Sequence, residues 1–135
     1  MEELTSKELF LQSVDRCVAT EAFISTFYER FLGASDEIKN KFRFTNFRIQ
    51  SEMLRRSLVL CAGVTTGNPE SMSEVKQRAV THDRSHLNIK PQLYEIWLET
   101  IIDTARDYDD QWDETTEAAW QRILGHVINY MVRKY

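Results

Sequence analysis

A chain of 135 residues suits one domain with one core, able to bury roughly two thirds of the surface that its unfolded form exposes. Its 42% hydrophobic and 28% charged residues are ordinary for a soluble globular protein, and a formal charge of −4 gives no footprint for nucleic acid. No apolar run approaches the roughly 18 residues that span a membrane, and the opening "MEELTSKEL" lacks a basic and apolar leader, so a cytoplasmic protein with no membrane partner is expected. Cys17 and Cys61 have no CxxC spacing and are expected to be small buried hydrophobes.

Four glycines and two prolines leave few breakers. The apolar residues recur at three and four rather than at two, so the sequence predicts an all-α fold. "LTSKEL" opens a first helix with a capping box, Thr5 and Glu8, with Leu4 and Leu9 at the staple positions and Phe10, Val14 and Cys17 on its inner face. A second helix from about Glu21 carries Phe23, Phe27 and Phe31 at four-residue spacing and stops at Gly33. Ser35 caps a short helix with Asp36 and Glu37 in its first turn. From Asn46 to about Ala62 the set Phe47, Gln50, Leu54, Leu58 and Cys61 marks a longer helix, which "GVTTGNPES" ends; this is expected to be the one loop of any length. The next helix starts at Pro69, or at a Ser71/Glu74 capping box, and runs to Asn88 before Pro91. Two long helices complete the chain, one with Leu93, Ile96, Trp97 and Ile101 inward, the other with a wide stripe from Trp120 to Met131. Between them "DYDDQWDE" reads as a solvated acidic corner that places carboxylates at a helix N-terminus.

Four residues do not fit a plain helical core. Val75, Ala79, His82 and His86 fall at spacings of four, three and four, which puts both histidines on the inward stripe. They read as satisfied core imidazoles, as an H-x3-H metal pair that lacks further ligands, or as the source of one axial ligand to a haem iron. Tyr28 stands beside a phenylalanine-rich face and needs a partner for its hydroxyl, and Gln50 points inward one turn before Leu54. With Phe42 in the turn between, these residues sketch an apolar pocket with a few aimed donors.

The order and spacing of these residues resemble those of a bacterial single-domain globin over nearly the whole chain. "FISTFYERFL" resembles the second globin helix, whose tyrosine, here Tyr28, reaches over the haem. Phe42 in "KFRFTNFRIQ" matches the phenylalanine that packs on the porphyrin, with Gln50 at the distal position and Leu54 one turn on. "LNIKPQLYEIW" is close to the stretch after the proximal helix, and "AAWQRILGHVINYM" is similar to the last helix. The resemblance implies a globin fold of about seven helices in a single domain, residues 1–135. It also implies haem b held by His82, with His86 as the alternative iron ligand. Phe42, Leu54, Tyr94 and Trp97 would pack on the cofactor, and Tyr28 and Gln50 would face the gas ligand. Many such globins place the proximal histidine seven residues before the matching proline, where this chain has Arg84; His82, nine before Pro91, fits a subgroup with a longer turn. His126 on the last helix reads as a surface or core-edge residue.

Resemblance to this group implies reversible binding of dioxygen, carbon monoxide or nitric oxide, for storage, transport or sensing, by a monomer or dimer. Flavohaemoglobin-like globins instead convert nitric oxide to nitrate, and they carry a glutamate near the end of the last helix. Here the stretch from Ala118 onward has no carboxylate side chain, and Tyr135 aligns with that glutamate. Gas binding therefore ranks above nitric oxide dioxygenase activity, which would need a separate reductase as partner. A haem-free globin-like interaction protein is the third class.

Overall fold

The computed structural model describes residues 4–135, which form seven α-helices and no strand. They are α1 (Ser6–Val18), α2 (Ala22–Gly33), α3 (Asp36–Lys41), α4 (Phe47–Thr65), α5 (Pro69–His82), α6 (Pro91–Tyr108) and α7 (Glu114–Arg133). Helix starts follow local chemistry. Thr5 and Glu8 close the expected capping box, Ser35 accepts from the N–H groups of Glu37 and Ile38, and Asp113 accepts from that of Thr116. Leu9 packs on the core while Leu4 stays exposed. α1 lies against α7 and α4, α2 against α6, and α4 against α5 and α7. The core residues expected on these faces, Phe10, Phe23, Phe27, Phe31, Leu58, Trp120 and Ile123 among them, are buried, as are both cysteines. Burial pushes each thiol up to about 12, so neither is poised as a thiolate nucleophile.

Two boundaries differ from expectation. α4 does not stop at Ala62 but continues to Thr65, and the expected long loop shrinks to residues 66–68. Gly63 is a helical residue that lets α5 approach: a Cβ there would lie 2.3 Å from Ser71 Oγ. The turn itself belongs to Gly67, at φ 76°, and Asn68 then caps α5 by accepting from the Ser71 N–H. At its other end α5 stops at His82, not Asn88.

The acidic corner is also only partly solvated. Asp109 is 3% exposed and receives Arg16 Nε at 2.5 Å, Arg16 Nη2 at 2.9 Å and Ser13 Oγ at 2.5 Å. Ser13 Oγ in turn accepts from Trp120 Nε1 at 2.9 Å. This network joins α1 to α7 and to the end of α6. Burial alone would raise the Asp109 carboxyl, but the bonds from Arg16, Ser13 and the Gln111 N–H together hold it below the usual carboxylate range. A depressed carboxyl pKa stabilises the fold above the unfolded value of about 3.9, and that contribution is lost as pH falls through the folded value. Asp109→Ala removes the buried acceptor shared by Arg16, Ser13 and the Gln111 N–H and should cost about 2 kcal/mol in urea unfolding at pH 7. An unchanged midpoint would mean that the network holds nothing together.

Candidate functional site

Helices α2 to α7 leave between them a cavity of about 420 Å³ with mainly apolar walls. Tyr28 and Phe31 reach it from α2, Gln50 and Leu54 from α4, His82 from α5, and Tyr94 and Trp97 from α6. Phe42, in the turn after α3, lines it too. Phe42 sits 5.9 Å from Phe31 edge to face and 6.1 Å from Phe47 in a stack, while Trp97 meets Phe27 at 6.0 Å. These aromatic contacts fix the ring positions and leave flat apolar faces around the space.

His82 is the last residue of α5. Its Nδ1 lies 2.8 Å from the Arg78 carbonyl oxygen, one turn back, and 3.0 Å from Thr81 Oγ1. A carbonyl only accepts, so Nδ1 carries the proton, and Nε2 has no hydrogen-bond partner among the described residues. Burial, assisted by the nearby Arg78 charge, lowers the His82 pKa against the opposing effect of that backbone bond. At neutral pH the ring is a neutral imidazole with a free Nε2 lone pair, the form that ligates metals.

The α5 helix ends there because Asp83 turns the chain. Its backbone is extended, and its Oδ1 accepts from the Ser85 N–H at 3.0 Å, a local bond that competes with the next helical turn. Asn88 then adopts φ 54°, and the N–H groups of Leu87 and Ile89 return to the carbonyls of Thr81 and His82 at 3.0 and 2.9 Å. The expected helix to Asn88, with His86 on its inward stripe, is therefore corrected. His86 is exposed, its Nδ1 lies 2.7 Å from Asp83 Oδ1, and it does not line the cavity. The two histidines share no face. Among the described residues no group of three His, Cys, Asp or Glu is placed to hold a metal ion. His126 is exposed, as read from the sequence.

Tyr28 is 6% exposed and its hydroxyl donates at 3.3 Å to the main-chain carbonyl of Gln50, whose side chain also lies beside it. Burial pushes the phenols of Tyr28 and Tyr94 up to about 12, so both keep their protons as donors. The sequence places the Arg78 carbonyl one turn behind His82, as found, but sequence reasoning missed the side-chain charges of Lys41 and Arg78 on the wall. Arg78 was findable: it stands one turn before His82 on the same helix face. Its guanidinium is held by Ser57 Oγ at 2.5 Å and Glu74 at 3.1 Å.

Seven helices arranged in this way around such a cavity make a globin-like fold. The chain superimposes with a TM-score of 0.92 on the crystal structure of protein PA3967 from Pseudomonas aeruginosa PAO1, described as structurally highly homologous to a human haemoglobin. The two are 28% identical over 97% of this chain and 98% of that one. No protein-family model and no curated protein matches the chain.

The chemistry of the lining is compatible with a haem: apolar faces for a macrocycle, the cations Lys41 and Arg78, and one neutral imidazole. Nuclear magnetic resonance of ring-¹⁵N-labelled protein without added haem should show the His82 proton on Nδ1 and a titration midpoint below the ordinary histidine value. Because that pKa is depressed, the stability linked to His82 is present above about pH 6.5 and is lost on acidification through the folded pKa. A midpoint above the ordinary value would contradict the geometry.

Proposed function

We propose that this chain is a single-domain, haem-binding globin that holds haem b through His82 and reversibly binds dioxygen and other diatomic gases, for storage, transport or sensing in the cytoplasm. The observation that carries the reading is the His82 ring, which lines the cavity as a neutral imidazole with Nδ1 engaged and Nε2 free. When bound, ferrous haem supplies the iron at which the gas is held. The residues of the chain do the rest. Phe42, Leu54 and Trp97 present apolar surface to the macrocycle and exclude water, and Tyr94 closes the wall beside them. The Arg78 carbonyl orients the imidazole and raises its basicity by taking the Nδ1 proton in a hydrogen bond. Tyr28 brings a protonated hydroxyl whose bond to the Gln50 carbonyl is long at 3.3 Å, so a stronger acceptor displaces that carbonyl at little cost.

Nitric oxide dioxygenase activity with a separate reductase is the second reading. The distal pair Tyr28 and Gln50 favours it. Against it, α7 beyond Ala118 has no carboxylate, and the Tyr135 hydroxyl donates instead to Asn88 Oδ1, in the turn after α5. A haem-free interaction protein is the reading that a colourless, haemin-indifferent protein would support.

His82→Ala should abolish or severely weaken haem retention, seen as loss of the Soret band after gel filtration of haemin-treated protein. His86→Ala should leave that spectrum nearly intact, and the reverse pattern would sink the assignment.

Tyr28→Phe removes a donor to a gas ligand that carries negative charge while keeping the ring's packing. Such a bond is worth roughly 1.5–3 kcal/mol, so dioxygen should dissociate roughly ten- to hundredfold faster in stopped flow. Carbon monoxide carries little charge and should respond less. Gln50→Leu keeps the main-chain carbonyl that accepts from Tyr28, so it should change the dioxygen rate by less than Tyr28→Phe does. An unchanged dioxygen rate in Tyr28→Phe removes that residue from the site.

A further inference from the structure

Four residues that line the cavity are also exposed, Lys41, Met53, Thr81 and Leu87, so they mark its mouth. Bonds close that mouth from two sides. Lys41 Nζ, on the last residue of α3, donates to the Leu87 carbonyl in the turn after α5 at 3.0 Å. One turn along α4 and α5 from Met53 and Thr81, Arg78 Nη1 donates to Ser57 Oγ at 2.5 Å. A second contact from α3 reaches the same turn, where Lys90 Nζ, on the cap residue of α6, lies 2.9 Å from Glu37 Oε1. α3 is therefore fastened to the turn before α6 from both its first and its last turn. Little else holds it. Of its six residues only Ile38 is buried, and Ile38 and the following Phe42 both line the cavity. It packs on α2, from which only Ala34 and Ser35 separate it. The other walls are carried by longer helices, α4 with 19 residues, α5 with 14 and α6 with 18, so α3 is the part of the wall least anchored by its own packing.

We propose that α3 is a hinged flap over the cavity mouth, fastened by Lys41 to Leu87 and by Glu37 to Lys90, which lifts to admit a tetrapyrrole and closes behind it. The inference rests on the haem reading of the cavity and adds the route by which the cofactor enters and leaves. A flat macrocycle does not pass a mouth that a 3.0 Å bond crosses, so one side has to yield. On the α4–α5 side the Arg78 guanidinium is held by Glu74 as well as Ser57, between two long helices, and that side stays shut. On the α3 side the fastenings are one lysine–carbonyl bond and one partly exposed ion pair, which is weak enough to part often. Lifting α3 uncovers Ile38 and Phe42 and leaves His82, Tyr94 and Trp97 where they are. It also separates Phe42 from Phe31 and Phe47, and the apolar contact regained on closing returns the flap. Glu37 and Lys90 do not line the cavity, so they act on the flap and not on what it covers.

A zero-length carbodiimide joins a carboxylate to an adjacent lysine, and Glu37–Lys90 is the one lysine–carboxylate pair among the described residues. Haem-free protein joined there, as verified by mass spectrometry of the linked peptides, should take up haemin and iron-free protoporphyrin IX at least roughly tenfold more slowly than untreated protein. Glu37→Gln given the same treatment should not be slowed. Without treatment, Glu37→Gln should speed haemin uptake and haem loss to excess apomyoglobin together, by roughly two- to fivefold, and leave their ratio unchanged, because the pair fastens the closed flap with and without cofactor. A residue that held the cofactor directly would change that ratio. In hydrogen exchange of haem-free protein, Glu37→Gln should speed the amides of residues 36–46 and not those of α1 or α7, a readout that needs no haem. Protoporphyrin IX without iron cannot be ligated by His82, so a chain that gates it but retains no haemin would overturn the haem reading and keep the flap. Uptake of both porphyrins that ignores the cross-link would overturn the flap. So would failure to recover the linked peptides, or a Glu37→Gln variant that changes only the ratio of uptake to loss.

Discussion

A buried imidazole has two ring nitrogens, and each needs a partner or a use. In His82 the Arg78 carbonyl satisfies Nδ1 at 2.8 Å, and the fold gives Nε2 to the cavity. Everything about the site depends on where α5 ends. One further helical turn would carry the chain past the cavity and bury the Thr81 and His82 carbonyls in helix bonds. Instead Asp83 and Asn88 turn it, and Leu87 and Ile89 come back to those carbonyls and complete the wall. The lowered His82 pKa follows from the same burial, so position, tautomer and protonation state share one cause.

Polar burial serves two purposes in this fold. At the α1–α6–α7 junction, Asp109 accepts from Arg16, Ser13 and the Gln111 N–H, and Ser13 from Trp120, which ties the helices together. Around the cavity the polar groups are only partly committed. His82 keeps one nitrogen, and the Tyr28 hydroxyl makes a long bond to a carbonyl. Bonded networks build the frame, and the free lone pair of His82 and the weakly held Tyr28 hydroxyl lie at the cavity.

Much of this was legible in the sequence, for identifiable reasons. Helical periodicity and caps such as Ser35 and the Thr5/Glu8 box act locally, so α1 and α3 were readable from a few residues each, and the apolar stripe from Trp120 to Met131 marked α7. Tyr28, Phe42, Gln50, Leu54, His82, Tyr94 and Trp97 were chosen from spacing and resemblance, and all seven line one cavity. What failed was long-range or competitive. Gly63 looked like a helix terminator because its real constraint, the approach of Ser71, comes from another helix. Asp109 looked solvated because its partner Arg16 is 93 residues away. His86 looked inward because periodicity continues through Asp83 on paper, whereas the Asp83 side chain bonds Ser85 and breaks it.

The most direct test of a histidine-held haem in this cavity is resonance Raman spectroscopy of the reduced, gas-free protein, prepared with natural and with ¹⁵N-labelled histidine. A single iron–histidine stretching band that moves to lower frequency on labelling is the expected result. A spectrum without such a band, or with one that ignores the label, would contradict ligation by His82 and with it the gas-binding account.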